Sequence, residues 1–273
     1  MPALKLGVMV ALSEGPERAI EKVRDLGLTT CQVSNWNPDL LTPEVASHLR
    51  RAAAERSVEI STFWAGYPGR MVWNFVEGPT TIGLVPPNTR LERTDVLKRA
   101  SDFARWLGVA SITTHVGFIP ENLSDPDYRG VVEALTEVAT HCRDNGQSFW
   151  FETGQETPIT LLRTIEDVGT GNLGINLDPA NLLMYGKANP LDSLDVFGGL
   201  VRGVHAKDGE YPTNGRQLGV EKPLGEGRVG FHALVPKLKG LGFTGALTIE
   251  REVRGPEQVA GIRQAIQVLE PLL

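Results

Sequence analysis

The sequence predicts a single (β/α)8 TIM barrel over residues 1–273, with long loops after the third and seventh strands. Eight short apolar runs alternate with amphipathic helical patterns along the whole chain. The length of 273 residues is close to the ~250 residues typical of such a barrel. Four of the apolar runs also end at a residue able to ligate a metal, namely Glu152, Asp178, His205 and Glu250.

The predicted strands are short and apolar, as expected for parallel strands buried on both faces. They cover residues 4–10, 30–34, 59–64, 111–116, 148–153, 173–178, 201–206 and 246–251. Strands that alternate with helices form a parallel sheet with right-handed crossovers, and eight such strands close a barrel.

The predicted helices each carry an apolar stripe, as shown by Ile20, Val23 and Leu26 ahead of a stop at Gly27. They cover residues 17–26, 43–55, 90–107, 128–142, 159–168, 191–197, 231–241 and 256–269. The connections over residues 65–88 and 208–230 leave strand carboxyl ends and are too long for simple turns. We therefore expect both to overhang the barrel mouth, where barrels place their chemistry.

Composition excludes several classes of function. The formal net charge of −6 and the pI near 5.5 argue against a nucleic-acid partner, which requires a surplus of Lys and Arg. Cys31 and Cys142 are far apart and lack metal-ligand spacing, so we expect no disulfide framework and a reducing, cytoplasmic compartment. We also expect no signal peptide and no membrane span, because no run reaches ~18 apolar residues.

The four strand-end residues predict one divalent-metal site. Glu152, Asp178, His205 and Glu250 follow strands five to eight, whose carboxyl ends meet at the same mouth. The alternative for any one carboxylate is to cap the next helix or to pair with a base. Oxygen-rich ligation with one imidazole favours Mn²⁺, Co²⁺ or Mg²⁺ over a structural Zn²⁺. We expect manganese, with cobalt, magnesium and zinc as the alternatives.

Five short motifs carry a family resemblance: Phe151-Glu-Thr153, Asn176-Leu-Asp-Pro-Ala-Asn181, Val204-His-Ala-Lys-Asp208, Leu224-Gly-Glu-Gly-Arg228 and Leu247-Thr-Ile-Glu-Arg-Glu252. Through them the chain resembles, over nearly its full length, the sugar phosphate isomerase/epimerase superfamily with a xylose-isomerase-like barrel. That superfamily includes ketose 3-epimerases, hydroxypyruvate isomerase and inosose dehydratase.

The resemblance implies an enzyme in which Glu152 and Glu250 are acid/base residues as well as metal ligands. A metal that polarises a carbonyl lowers the pKa of the neighbouring hydrogen, so one carboxylate can remove it and an enediolate forms. Return of the proton from the same carboxylate to the adjacent carbon isomerises the substrate. Return from the opposite carboxylate epimerises it.

The resemblance also implies substrate contacts for His115 and Glu156. The alternative for His115 is a buried histidine bonded to a backbone carbonyl, and the alternative for Glu156 is helix capping. Asn181 departs from the pattern, since many epimerases of the superfamily have a histidine there. Asparagine can hydrogen-bond a substrate hydroxyl but cannot carry a proton, which leaves the 3-epimerase reaction open.

The remaining candidate substrate contacts come from the residues themselves. Lys207 follows the predicted ligand His205 closely enough to hold a substrate oxygen or a phosphate, and strand alternation points it back toward the His205 side. Arg228, in a glycine-rich stretch, is a candidate for an anionic group, although we interpret that stretch as a loop that shapes the mouth. Trp36 and Trp64 are candidates for an aromatic wall, with a surface turn and an ordinary ordered loop as the respective alternatives.

These observations predict a metal-dependent isomerase or epimerase of a small keto-sugar or polyol. The first alternative is a lyase or dehydratase that uses the same cation on a keto sugar or inosose, and the second is a sugar-binding barrel without turnover. The expected partner is a small-molecule carbohydrate, with no nucleic acid or membrane, and the chain is expected to form a homodimer or homotetramer.

Overall fold

The protein forms a closed barrel of eight parallel strands, seen in a computed structural model that describes residues 4–273. Residues 1–3, where the predicted domain and its amino terminus begin, lie outside the described residues. The barrel strands are β1 (Lys5–Ala11), β2 (Thr30–Asn35), β3 (Glu59–Ala65), β4 (Ser111–Thr114), β5 (Ser148–Glu152), β6 (Leu173–Leu177), β7 (Val201–Ala206) and β10 (Ala246–Ile249). The predicted (β/α)8 fold is confirmed.

Each barrel strand is followed by at least one helix. The helices are α1 (Pro16–Asp25), α2 (Pro43–Glu55), α3 (Pro87–Leu107), α4 (Pro126–Asp144), α5 (Pro158–Val168), α6 (Pro179–Met184), α7 (Pro190–Phe197), α8 (Phe231–Gly240) and α9 (Pro256–Leu269). Most of them begin with a proline, whose fixed φ and missing N–H suit the first helical position. The short helix α6 was not predicted, because six residues are too few to show a helical period.

The barrel closes where β1 pairs with β10 on one side and with β2 on the other. Around the ring the strands follow the order β1, β10, β7, β6, β5, β4, β3, β2. All eight barrel pairings are parallel. Every strand therefore points its carboxyl end to the same mouth, as the sequence predicted.

Both long loops lie at this mouth. The loop after β7 contains a short antiparallel pair, β8 (Asp208–Gly209) with β9 (Glu221–Lys222), which was not predicted. The loop after β3 is held by the fully buried Arg93, whose guanidinium donates to the carbonyls of Thr81 (2.8 Å) and Gly83 (2.7 Å). Gly83 has φ +74°, and a Cβ there would lie 1.9 Å from the carbonyl oxygen of Val116. This loop is thus packed tightly onto the chain beyond β4.

No helix among residues 4–273 is both long enough and apolar enough to cross a membrane.

Candidate functional site

The four predicted metal ligands meet at the carboxyl end of the barrel. Glu152 is the last residue of β5, Asp178 follows β6, His205 lies near the end of β7, and Glu250 follows β10. One ligand atom from each of the four lies within 4.8 Å of the others. We call these four residues the candidate metal centre.

Asp178 directs one carboxylate oxygen into the candidate metal centre. Its Oδ1 caps helix α6 by accepting a hydrogen bond from the backbone N–H of Asn181 at 2.8 Å. Its Oδ2 is buried and has no hydrogen-bond partner. The ammonium of Lys207 lies 3.7 Å from this oxygen, beyond hydrogen-bond distance, so Oδ2 remains available to a bound cation. Asp178 therefore caps helix α6 with one oxygen and keeps the other as a candidate metal ligand, so that the two alternatives from the sequence are compatible.

Glu152 is held by three ring systems. The indole N–H of Trp64 donates to Oε2, while Nδ1 of His205 and Nε2 of His115 lie 3.0 Å and 3.3 Å from Oε1. The carboxylate is 2% exposed, so these contacts replace its hydration. Trp64 and His115 thus both contact a residue of the candidate metal centre, a role that the sequence did not assign to Trp64.

His205 presents Nδ1 to the carboxylates and Nε2 to the barrel interior. Nδ1 lies 3.0 Å from Glu152 and 3.2 Å from Glu250. Nε2 lies 2.9 Å from Oε1 of Gln32 and 2.9 Å from Nδ2 of Asn176, and Gln32 also donates to Oδ1 of Asn176 at 3.0 Å. With the Nε2 hydrogen donated to Gln32, the Nδ1 lone pair is free for a cation, as in many metal-ligating histidines.

Lys207 is buried beside the candidate metal centre. Its ammonium lies 3.7 Å from Oδ2 of Asp178, 3.4 Å from Oε2 of Glu250 and 2.6 Å from Oε1 of Glu252. It also lies 3.4 Å from Oδ1 of Asn181. Burial would lower the pKa of Lys207, but the carboxylates of Glu250, Glu252 and Asp178 raise it well above its ordinary value. The lysine is therefore charged and balances part of the acidic cluster.

The two candidate acid/base carboxylates are kept ionised by nearby basic side chains. Burial would raise the pKa of Glu152, but the imidazoles of His115 and His205 hold it below its ordinary value. Burial would likewise raise the pKa of Glu250, but Lys207 and His205 hold it well below that value. Both side chains are therefore present as carboxylates.

In the other two residues of the candidate metal centre, Asp178 and His205, the pKa is raised. Burial raises the pKa of Asp178, with Lys207 opposing it. Burial would lower the pKa of His205, but Glu152 and Glu250 raise it well above its ordinary value. An imidazole in this setting binds a proton or a cation at Nδ1, since either one offsets the carboxylate charge.

The donor set fits a divalent cation. It consists of three carboxylates and one imidazole, and it includes Oδ2 of Asp178, which has no hydrogen-bond partner. Oxygen ligands with one nitrogen suit Mg²⁺, Mn²⁺ and Co²⁺, whereas closed structural Zn²⁺ sites use Cys and His.

A cavity of about 290 Å³ extends outward from the candidate metal centre, and we call it the metal-side cavity. Its aromatic wall includes Trp36 and Trp64, with ring centroids 4.7 Å apart, and Trp73, 6.3 Å from Trp36 and 5.3 Å from His115. Trp36 is 44% exposed and Trp73 is 39% exposed, so both offer ring surface to a ligand. A polar floor beneath aromatic rings suits a small sugar or polyol.

The structure brings most of the predicted substrate contacts to this cavity. His115, Asn181, Trp36 and Trp64 all line it. Lys207 lies just beneath, against Asn181.

Glu156 and Arg228 do not line the metal-side cavity. Glu156 is 3% exposed, its Oε1 has no hydrogen-bond partner, and burial raises its pKa to about 8. The cap of helix α5 is Thr157 and not Glu156, because Thr157 Oγ1 accepts from the backbone N–H of Thr160. Arg228 is exposed.

The glycine-rich loop beside Arg228 already binds an internal anion. Backbone N–H groups of Gly225, Gly227 and Val229 donate to the carboxylate of Asp208 at 3.0 Å, 3.1 Å and 3.0 Å. A Cβ on Gly227 would lie 2.1 Å from Oδ1 of Asp208, so glycine is required for this approach. The loop therefore shapes the mouth, as expected, and does not present these amides to a phosphate.

Several site residues were not identified from the sequence. Met184, Tyr185, Leu218 and Glu252 line the metal-side cavity, and Gln32 and Asn176 support His205. A polar Gln32 between Cys31 and Val33 was the available signal, since a buried strand rarely holds an amide without a partner for it.

The fold and the cluster together define a TIM barrel with a candidate divalent-metal centre at its carboxyl end. The family model described as xylose isomerase-like TIM barrel matches residues 20–272. The chain belongs to this family.

Three relatives illustrate the similarity. A xylose isomerase domain protein from Planctomyces limnophilus is 36% identical, with a TM-score of 0.94 over 99% of this chain and 98% of that one. A D-tagatose 3-epimerase-like protein is 21% identical, with a TM-score of 0.76 over 98% and 97% of the two chains. The uncharacterized protein MJ1311 of Methanocaldococcus jannaschii is 24% identical, over 91% of this chain and 84% of its own length.

More distant structures share the fold at 14–18% identity and TM-scores of 0.69–0.72. They include a D-psicose 3-epimerase, a probable 3-DHS dehydratase of Bacillus anthracis, and a Mycobacterium smegmatis protein in complex with magnesium. The structural neighbours are thus sugar epimerases together with a dehydratase.

Proposed function

We propose that the protein is a divalent-metal-dependent isomerase or epimerase of a small keto-sugar or polyol derivative. One observation carries the proposal: two ionised carboxylates, Glu152 and Glu250, belong to the candidate metal centre at the floor of an aromatic-lined cavity. Sugar epimerases of the same fold support it.

Glu152, Asp178, His205 and Glu250 would hold the cation, and Mn²⁺ is our first choice, with Mg²⁺, Co²⁺ and Zn²⁺ as alternatives. Once bound, the cation would polarise the substrate carbonyl and stabilise an enediolate. The magnesium complex of the Mycobacterium smegmatis protein supports a divalent cation in a barrel of this fold.

In this proposal Glu152 removes the proton next to the carbonyl. Trp64 fixes Oε2, and His115 and His205 fix Oε1, so the carboxylate is oriented before the substrate binds. His115 also lines the cavity, where its ring can contact a substrate oxygen.

Glu250 is the second acid/base residue. Its side chain is 18% exposed, and Oε2 is held by His205 and Lys207. Return of the proton by Glu152 to the adjacent carbon yields an isomer, whereas delivery by Glu250 to the opposite face yields an epimer.

The cavity favours a substrate without a phosphate group. Its lining among the described residues includes no arginine or lysine and does include Glu152, Glu250 and Glu252. Lys207 beneath it is already paired with Glu252 at 2.6 Å. A phosphate dianion here would face carboxylates without a compensating guanidinium or ammonium.

Asn181 is the reason to retain an elimination reaction as the alternative function. It lines the cavity and reaches Lys207, but its amide cannot transfer a proton. The alternative function is therefore loss of water or an aglycone from a keto sugar or inosose by the same carboxylates. The second alternative is a barrel that binds a sugar without turnover.

The test is proton exchange in heavy water with the Mn²⁺-loaded protein and a panel of unphosphorylated keto-sugars, followed by NMR. Deuterium next to the carbonyl of recovered substrate, together with an isomer or epimer, supports the proposal, whereas an unsaturated product favours elimination. Glu152→Gln should abolish exchange, and Glu133→Gln on the exposed face of α4 should not. Full exchange in Glu152→Gln would remove the mechanism.

We further infer that residues 1–273 form one domain, that the protein is cytoplasmic, and that it assembles as a homodimer or homotetramer. The buried free thiols of Cys31 and Cys142 are consistent with a reducing compartment. Sedimentation equilibrium tests the assembly, and a monomer at all concentrations would contradict it.

A further inference from the structure

A second cavity of about 260 Å³ adjoins the metal-side cavity, and we call it the β1 cavity. Both cavities are lined by Trp36, Glu250 and Glu252. The β1 cavity also takes its lining from the carboxyl ends of β1, β10 and β2. β1 lies between β10 and β2 in the barrel and contributes no described residue to the lining of the metal-side cavity, whereas Met9, Val10 and Ala11 of β1 all line this second cavity.

The lining of the β1 cavity combines apolar and hydrogen-bonding groups. Val10, Ile249 and Ile262 supply buried apolar surface. Lys22 on α1 donates to Oε1 of Gln258 on α9 at 3.1 Å. Donors and acceptors beside apolar surface match the alternating hydroxyl and C–H faces of a sugar ring.

The charge of this lining suits a neutral ligand. Lys22 lies 3.7 Å from Glu14, which also lines the β1 cavity, so its ammonium is already partly neutralised. Arg251 also lines the cavity, but its guanidinium lies 2.6 Å from Glu221 and is paired there. Glu250 and Glu252 add carboxylates on the side that faces the candidate metal centre, so three carboxylates of the lining exceed its two cations. A phosphate would meet net negative charge here, whereas hydroxyl groups can donate to these carboxylates.

The two cavities have similar volumes, and each is small for a ligand site. Each is at or just below the ~300 Å³ lower end of typical ligand sites, at about 290 Å³ and about 260 Å³. Trp36 borders both and is 44% exposed, so its indole can contact a ligand that passes from one to the other.

From this arrangement we propose that the β1 cavity is a second sugar subsite and that the substrate is a neutral, glycosylated keto-sugar. The keto unit lies in the metal-side cavity and the second sugar unit lies in the β1 cavity, beyond Trp36. This inference rests on the proposed function, because the keto unit must reach Glu152 and Glu250 for turnover. Lys22 hydrogen-bonds one hydroxyl of the second unit with an N–H not used by Gln258, and the exposed carboxylate of Glu252 accepts from another.

The test compares one ketose with its glucosylated forms in heavy water. The probes are D-fructose and the disaccharides turanose, maltulose and isomaltulose, in which the same ketose carries a glucosyl group on different oxygens. We expect at least one disaccharide to exchange its proton next to the carbonyl with a kcat/KM about tenfold or more above that of D-fructose, as two or more hydrogen bonds to the second unit would give.

A substitution in the lining of the β1 cavity tests whether the preference for a disaccharide depends on this cavity. Lys22→Met should lower the disaccharide to D-fructose ratio of kcat/KM about fivefold, as the loss of one hydrogen bond would. Lys98→Met is the matched control, because Lys98 on α3 is similarly exposed (25% against 22%) and pairs with Asp95 and Glu137, outside the lining of either cavity. It should leave the ratio unchanged.

The outcomes separate this inference from the proposed function. Exchange of D-fructose without any faster disaccharide, or an unchanged ratio in Lys22→Met, would overturn the second subsite and leave the proposed function standing. Absence of exchange from all four probes and from the wider keto-sugar panel would overturn both.

Discussion

Replacement of Gln32 by methionine should weaken metal binding without touching any ligand. Gln32 is 1% exposed, and its amide accepts from Nε2 of His205 at 2.9 Å and donates to Asn176 at 3.0 Å. Gln32→Met keeps the length of the side chain and removes both hydrogen bonds. The Nε2 hydrogen then loses its acceptor, so neither the ring orientation nor the tautomer that frees Nδ1 is fixed any longer.

The expected magnitude follows from these two contacts. Loss of an outer partner of a metal-bound histidine typically weakens metal binding by about 10- to 100-fold, which corresponds to roughly 1.4 to 2.7 kcal/mol. The buried groups left without partners on His205 and Asn176 should also lower the free energy of unfolding of the metal-free protein by about 1 to 3 kcal/mol.

The assay is calorimetric titration of chelator-treated protein with Mn²⁺, alongside urea unfolding. Gln147→Met is the matched control, since Gln147 is 5% exposed and also makes two buried hydrogen bonds, to Ser101 (2.6 Å) and to the carbonyl of Val109 (2.9 Å). Both variants should lose similar stability, but only Gln32→Met should lose metal affinity. Equal Mn²⁺ affinity in the wild type and Gln32→Met would refute the reasoning.

Three further predictions concern pH, the orientation of Glu152 and the loop after β3. Burial raises the pKa of Glu156 from 4.5 to about 8, so the stability that this side chain contributes is full below pH 4.5 and is lost as pH rises toward 8. Between pH 5 and 9 the free energy of unfolding in urea should therefore fall by up to a few kcal/mol for the wild type relative to Glu156→Gln. A difference between the two proteins that does not change with pH would contradict this. Trp64→Phe removes the indole donor to Glu152, so proton exchange should slow about 10- to 100-fold; an unchanged kcat would show that the contact does not orient the carboxylate. Gly83→Ala places a Cβ 1.9 Å from a backbone oxygen at φ +74°, and it should lower the free energy of unfolding by about 2 kcal/mol or more. The control Gly199→Ala has open space around the new Cβ and should change the free energy of unfolding by less than about 1 kcal/mol. Similar values for the two variants would contradict the clash at Gly83.

The strands and the candidate metal centre could be predicted because they depend on local patterns with a simple geometric consequence. An apolar run that ends at Glu152 or Glu250 fixes where a parallel strand stops, and the closed barrel then brings those ends together. Asp178 illustrates the limit of that reasoning, since the sequence offered helix capping or metal ligation as alternatives, whereas in the structure Oδ1 caps the helix and Oδ2 has no hydrogen-bond partner and is free to bind a cation.

Contacts between distant strands could not be predicted from the sequence. Gln32 and His205 are 173 residues apart and meet only because β2 and β7 face each other across the barrel interior. The β8–β9 pair escaped prediction for a different reason, because strands of two residues leave no periodic signal. The contact of Asp208 with the glycine-rich loop likewise could not be predicted, because it depends on the path that the loop after β7 takes in the folded protein.

The most direct test of the central claim is the metal content of the purified protein, measured by elemental analysis after Mn²⁺ supplementation. The wild type should carry close to one divalent ion per chain, and His205→Ala should carry far less. His141→Ala is the control, because His141 on α4 pairs with Asp102 outside the candidate metal centre and should retain the metal. Absence of metal from the wild type, or equal metal in wild type and His205→Ala, would contradict the account.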